Sequence, residues 1–161
     1  MQLGMSLPAF TLFHVVISLI GIGSGLIVIL GMLAAKRLGA LTAIFLITTV
    51  ATSVTGFLFP FEGFKPSYVI GTLSLIVLAL AIVALYGKHL AGAWRWVYVV
   101  TAIIALYFNV FVAIVQSFLK VPALHPLAPK GNEPPFAIAQ LTVLVLFIVL
   151  GFLAVRKFRP V

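Results

Sequence analysis

The chain has 161 residues, 64% of them hydrophobic and only 7% charged, with no cysteine and a formal net charge of +8. With a mean hydropathy of +1.34, that composition excludes an ordinary water-soluble domain and points to a protein embedded in lipid. The absence of cysteine excludes disulfide scaffolds, thiolate metal sites, iron–sulfur ligation and thiol redox chemistry.

Five apolar runs, at 10–35, 41–59, 68–86, 94–119 and 136–155, occupy most of the sequence. Each approaches the ~20 residues that a helix rising ~1.5 Å per residue needs to cross ~30 Å of hydrocarbon. Backbone polar groups find no partner in lipid, so these runs must be helical. The expected fold is therefore an all-α, five-helix membrane bundle, and the whole chain is expected to be one transmembrane domain.

Ahead of the first run, Pro8 suits a first helical turn, where its missing N–H costs nothing. The run has no basic segment before it, exceeds the ~7–15 apolar residues of a secretory signal, and is followed by Lys36-Arg37, so it reads as a retained helix. Within it His14, Ser18, Gly21 and Gly25 recur on one helical face, and glycines four apart let another helix come close. The string GIGSG lies inside an apolar run with no preceding strand, which rules out a phosphate loop.

After a short turn containing Gly39, the second run carries Thr48, Thr49, Thr52, Ser53, Thr55 and Gly56 toward its end. The connection FPFEGFKP follows, with aromatics suited to an interface. Pro60 stops the second helix and Pro66 opens the third, which offers Ser67, Gly71, Ser74 and Ala81. Trp94, Trp96 and Tyr98 are expected to form an interfacial belt at the start of the fourth helix. Along that helix Tyr98, Ala102, Ala105, Asn109, Ala113, Gln116 and Lys120 make one stripe. The stretch 120–135, KVPALHPLAPKGNEPP, is stiffened by its prolines and is expected to fold back over the helix ends. Gln140 lies about one turn into the fifth helix.

If the helices alternate, Lys36, Arg37, Lys88, Arg95, Arg156, Lys157 and Arg159 fall on one side. Lys65, Lys120, Lys130 and both acids, Glu62 and Glu133, fall on the other. This asymmetry places the N-terminus outside and the C-terminus in the cytoplasm. It also makes anionic lipid head groups, rather than nucleic acid, the expected match for the positive charge. The compact format suggests a bacterial inner membrane.

On that topology the polar side chains concentrate in the outer half. Ser, Thr, Asn and Gln in spans often serve as interhelical glue worth about 0.6 kcal/mol per pair. The competing reading is a pocket built from His14, Ser18, Asn109, Gln116 and Gln140, with His125 and Glu133 over its mouth. An imidazole inside a membrane can bond a neighbouring carbonyl, ligate a metal or haem iron, or donate to a quinone carbonyl.

For haem b, a second axial ligand would have to be His125 from the loop. A metal such as zinc could draw on His14, His125 and Glu62, although no H-x-x-H or H-E-x-x-H spacing supports it. Proton-coupled transport is disfavoured, because no Asp or Glu lies within a span. Hydrolytic chemistry lacks both G-x-S-x-G and a carboxylate to orient His14.

The expected role is a non-enzymatic accessory subunit of a larger membrane complex, or a small apolar-ligand-binding protein in the lipid bilayer, with self-association open. The alternative is a redox subunit handling haem b or quinone.

Overall fold

The computed structural model describes residues 2–160, and among them every regular element is helical. The helices are α1 (Leu7–Leu33), α2 (Gly39–Gly56), α3 (Pro66–Ile82, extended by a π-turn at Val83–Gly87), α4 (Trp94–Lys120) and α5 (Pro134–Lys157). All five are long and apolar enough to cross a membrane. At ~1.5 Å per residue, α2 is about 27 Å long, while α1 and α4 reach about 40 Å and must tilt or project beyond the hydrocarbon.

The helix starts follow local chemistry. Ser6 caps α1, its Oγ accepting from the Ala9 N–H at 3.4 Å, and Pro8 lies in the first turn. α3 and α5 begin directly at Pro66 and Pro134. α2 ends at Gly56, short of Pro60, because Phe57 and Leu58 turn their N–H groups onto Val54 and Thr55. The expected spans thus shift by a few residues at their ends, and all five survive.

α1, α2, α3 and α4 pack in a ring, each against the next and α4 against α1. α5 lies outside that ring, against α4 and α1. α4 is consequently the most buried helix and α5 the least. One end of the bundle carries the connections 57–65 and 121–133 and is called the loop end here; the other carries the short turns and is called the turn end.

The turn-end half holds the dry core. Val28, Ile29 and Met32 of α1 meet Phe45 and Leu46 of α2, Leu78 and Ala81 of α3, and Val99, Ala102 and Leu106 of α4. Gly25 makes this packing work. A Cβ there would lie 2.8 Å from both Phe45 Cδ1 and Leu106 Cδ1. The small-residue face of α1 thus receives side chains from two neighbours at once.

The aromatic belt needs revision. Trp94 and Tyr98 are four apart and share a face, so both turn toward the protein. Tyr98 is fully buried against Phe158, with ring centroids 5.9 Å apart. Only Trp96, on the opposite face, is exposed.

Arg95 ties the start of α4 to the end of α5. Its guanidinium donates to the Val155 and Phe158 carbonyls at 2.8 and 2.7 Å, satisfying acceptors that the last turn of α5 leaves free. The positive charge also faces the negative end of the α5 dipole.

Two outcomes follow for stability in detergent or bicelles. Arg95→Ala should cost about 2 kcal/mol, because hydrogen bonds to a charged group are lost, and should raise amide exchange selectively in the last two turns of α5. Gly25→Ala should cost about 1–3 kcal/mol from overpacking. Gly23→Ala, where a Cβ meets nothing within 4 Å, should be neutral or slightly stabilising. Reversible unfolding of the three variants checks both expectations.

Candidate functional site

The loop-end half contains a cavity of about 500 Å³ bounded by α1, α2, α3, α4 and the connection after α2. α1 contributes Thr11, His14 and Ser18; α2 contributes Thr49, Thr52 and Ser53. Ser67, Tyr68 and Ser74 come from α3, and Phe108, Asn109, Gln116 and Lys120 from α4. Phe57, Phe59, Pro60, Glu62 and Lys65 line it from the connection.

Its inner end is a layer of hydrogen bonds. Ser18 Oγ donates to Asn109 Oδ1 at 2.9 Å, and Asn109 Nδ2 reaches back to the Ser18 carbonyl at 3.4 Å. Gly21 lies beside this pair. A Cβ at that position would be 3.2 Å from Asn109 Nδ2, Thr48 Oγ1 and Thr49 Oγ1, so the glycine admits polar atoms from α2 and α4 to one spot.

His14 stands nearer the loop end. Its Nδ1 lies 2.7 Å from Thr55 Oγ1, and its ring stands perpendicular to that of Phe59 with centroids 5.2 Å apart. Phe59 in turn packs on Phe10. Tyr68 gathers Phe57, Phe61 and Phe64 around itself, with centroids 5.8 to 6.2 Å away. The mouth is therefore framed by aromatic rings and by the Glu62–Lys65 ion pair, 3.3 Å apart and exposed. Such a pair contributes little to stability.

Of the residues expected from sequence to form a pocket, His14, Ser18, Asn109 and Gln116 line this cavity together. Gln140, His125 and Glu133 do not. Gln140 is buried between α5 and α4, donating from Nε2 to the Phe111 carbonyl at 3.2 Å, with its Oε1 sealed and unpaired. It is displaced because α5 packs outside the ring.

His125 turns back from the loop onto α4, its Nδ1–H donating to the Phe118 carbonyl at 3.2 Å. Glu133 stays at the loop surface and accepts from the Lys130 and Asn132 N–H groups at 3.0 and 3.1 Å. Desolvation raises the pKa of this carboxyl and the backbone hydrogen bonds lower it; the bonds prevail, leaving it below the ordinary value. The Pro-rich loop thus closes over α4 and α5, where Phe118 meets Phe136 edge-on at 5.6 Å. It is the 57–65 connection that frames the mouth.

The metal reading fails on placement. Among the described residues no three His, Asp or Glu side chains approach closely enough to hold an ion. His14 and Glu62 both line the cavity, but His125 lies elsewhere. The same displacement removes His125 as a second axial ligand for haem.

Thr49, Thr52 and Ser53 of α2, outside the set expected to build the pocket, form a wall of the cavity. Their signal was the clustering of Ser and Thr at the depth of His14. Ser74, Tyr68 and Lys120 also line it, and nothing in the local pattern of α3 set the first two apart.

No protein-family model, curated protein sequence or solved structure matches the chain.

The Ser18–Asn109 contact is expected to be real but modest. A double-mutant cycle with Ser18→Ala and Asn109→Ala should give a coupling of about 0.6 kcal/mol, the average for such pairs in membranes. Falling pH should loosen the loop, because Glu133 with a lowered pKa stabilises it above the ordinary carboxylate range and releases it as that group protonates. Amide exchange at Lys130 and Asn132, followed from neutral to acidic pH, measures this directly.

Proposed function

We propose that this multi-pass membrane protein is a non-enzymatic binding protein that holds a small, largely apolar molecule in the loop-end cavity. What supports the reading is the convergence of polar side chains from four helices on one cavity of about 500 Å³. Ligand pockets of this kind are mostly apolar with a few placed polar groups, and run to ~300–1,000 Å³. Interhelical glue alone would pair its polar groups off and close the space between them. Here Ser18 pairs with Asn109 and His14 with Thr55, yet Thr52, Ser53 and Gln116 line the cavity too.

The seven basic residues at the turn end favour a cytoplasmic placement of that end. The cavity would then open toward the outer leaflet of a bacterial-type inner membrane. An accessory role within a larger complex is compatible, with the ligand shared or presented to a neighbour. The redox alternative narrows under the same geometry: of the three histidines, only His14 lines the cavity. Haem b held by two histidines fits poorly, and a quinone-type head group falls within the proposed ligand class.

Mass spectrometry of the intact protein, released from native membranes in mild detergent, tests the reading. A small-molecule adduct is expected on the wild type and on His89→Ala, and reduced several-fold on His14→Ala and Gln116→Ala. Equal retention by all three variants, or none by the wild type, would refute it.

A further inference from the structure

A hydroxyl carries a single proton, and on a helix in lipid Ser and Thr can give it to the carbonyl one turn back. Thr49, Thr52 and Ser53 donate to the carbonyls of Phe45, Thr48 and Thr49 at 2.6, 2.8 and 3.0 Å. Thr11 donates to the Leu7 carbonyl at 2.9 Å, and Ser18 to Asn109 Oδ1 at the same distance. All five line the cavity. With their protons engaged, they offer it lone pairs.

His14 follows the same accounting. Thr55 Oγ1 lies 2.7 Å from the Ala51 carbonyl and 2.7 Å from His14 Nδ1. A hydroxyl that donates to Ala51 can only accept from the ring, so Nδ1 bears the hydrogen. In the neutral imidazole Nε2 is then a bare acceptor.

The α1–α2 wall is thus made of acceptors. Donors stand opposite: the Ser67, Tyr68 and Ser74 hydroxyls on α3, and the Gln116 amide and Lys120 ammonium on α4, with Lys65, paired to Glu62, at the mouth. Asn109 sits between the walls, its amide reaching Ser18 only at 3.4 Å.

We infer that this polarity selects an apolar molecule bearing a hydroxyl (an alcohol, phenol or hydroquinone) that donates to His14 Nε2 and accepts from the α3–α4 side. The inference rests on the ligand-holding reading above and specifies its chemistry. An ether, ketone or quinone of the same shape can accept from α3 and α4 but brings no proton for His14 Nε2 or for the lone pairs along α1 and α2. Leaving such buried groups unmatched is more costly than the bond itself is favourable. Thr55 acts as a positioning residue, since it fixes which ring nitrogen is protonated.

The test compares para-hexylphenol with its methyl ether, titrated into the purified full chain in phosphatidylcholine nanodiscs. The phenol should bind about tenfold more tightly than the ether, the scale of one matched hydrogen bond in a buried site. Ser53→Phe, which fills the cavity, should abolish saturable binding of both.

Thr55→Val keeps the side-chain shape and frees the ring to carry its hydrogen on Nε2, so the preference should fall to about twofold or less while the ether gains. Equal or tighter binding of the ether by the wild type, still lost in Ser53→Phe, would overturn the hydroxyl selection and leave the ligand-holding reading standing. An unchanged preference in Thr55→Val would overturn the role given to His14. No saturable binding of either probe by the wild type would overturn both readings together.

Discussion

Hydrocarbon provides no hydrogen-bonding partner, and that one constraint shapes both the fold and the site. It forces the five apolar runs into helices, because only a helix satisfies its backbone within the segment. It then acts on side chains. Ten hydroxyls, those of Thr11, Ser24, Thr48, Thr49, Thr52, Ser53, Thr55, Thr72, Thr101 and Ser117, donate to carbonyls of their own helices. Water would have competed for those protons. In lipid the assignment is set by the helix, and the wall that results has a fixed polarity.

The two halves of the bundle differ because that constraint meets different residues. In the turn-end half, Val28, Met32, Phe45, Leu78 and Leu106 interlock and Gly25 gives room for two of them. In the loop-end half, hydroxyls, amides and His14 replace them, and these groups do not fill space to the same density. A cavity appears where the packing changes character. Asn109, Ser18 and Gly21 mark the boundary, with a paired polar layer above and a dry core below.

Much of this was legible from sequence where helical periodicity applies. His14 and Ser18 are four apart on α1, Asn109 and Gln116 seven apart on α4, and each pair had to share a face; the structure turns both faces toward the same cavity. Periodicity could not say where α5 packs, and Gln140 accordingly lies on the far side of α4. Nor could it trace a Pro-rich loop, so His125 and Glu133 cap α4 and α5 rather than the cavity. The α2 threonines show a subtler limit. Their positions were evident, but their role depends on which carbonyl receives each proton, and that is a property of the folded backbone.

His14 illustrates why the distinction matters for function. As a residue type it suggests a metal ligand, a haem ligand or a donor to a carbonyl, and sequence leaves all three open. Its setting reduces them. Among the described residues no cluster of His, Asp or Glu forms around it, and neither other histidine lines its cavity. Thr55, one turn from Ala51 on α2, engages its Nδ1 hydrogen. The ring nitrogen left without a partner is then an acceptor, oriented by a hydroxyl that is itself committed to the backbone. The chemistry of the site passes from a helix carbonyl through one threonine to one ring nitrogen, and on the proposed reading a ligand there must bring the missing proton.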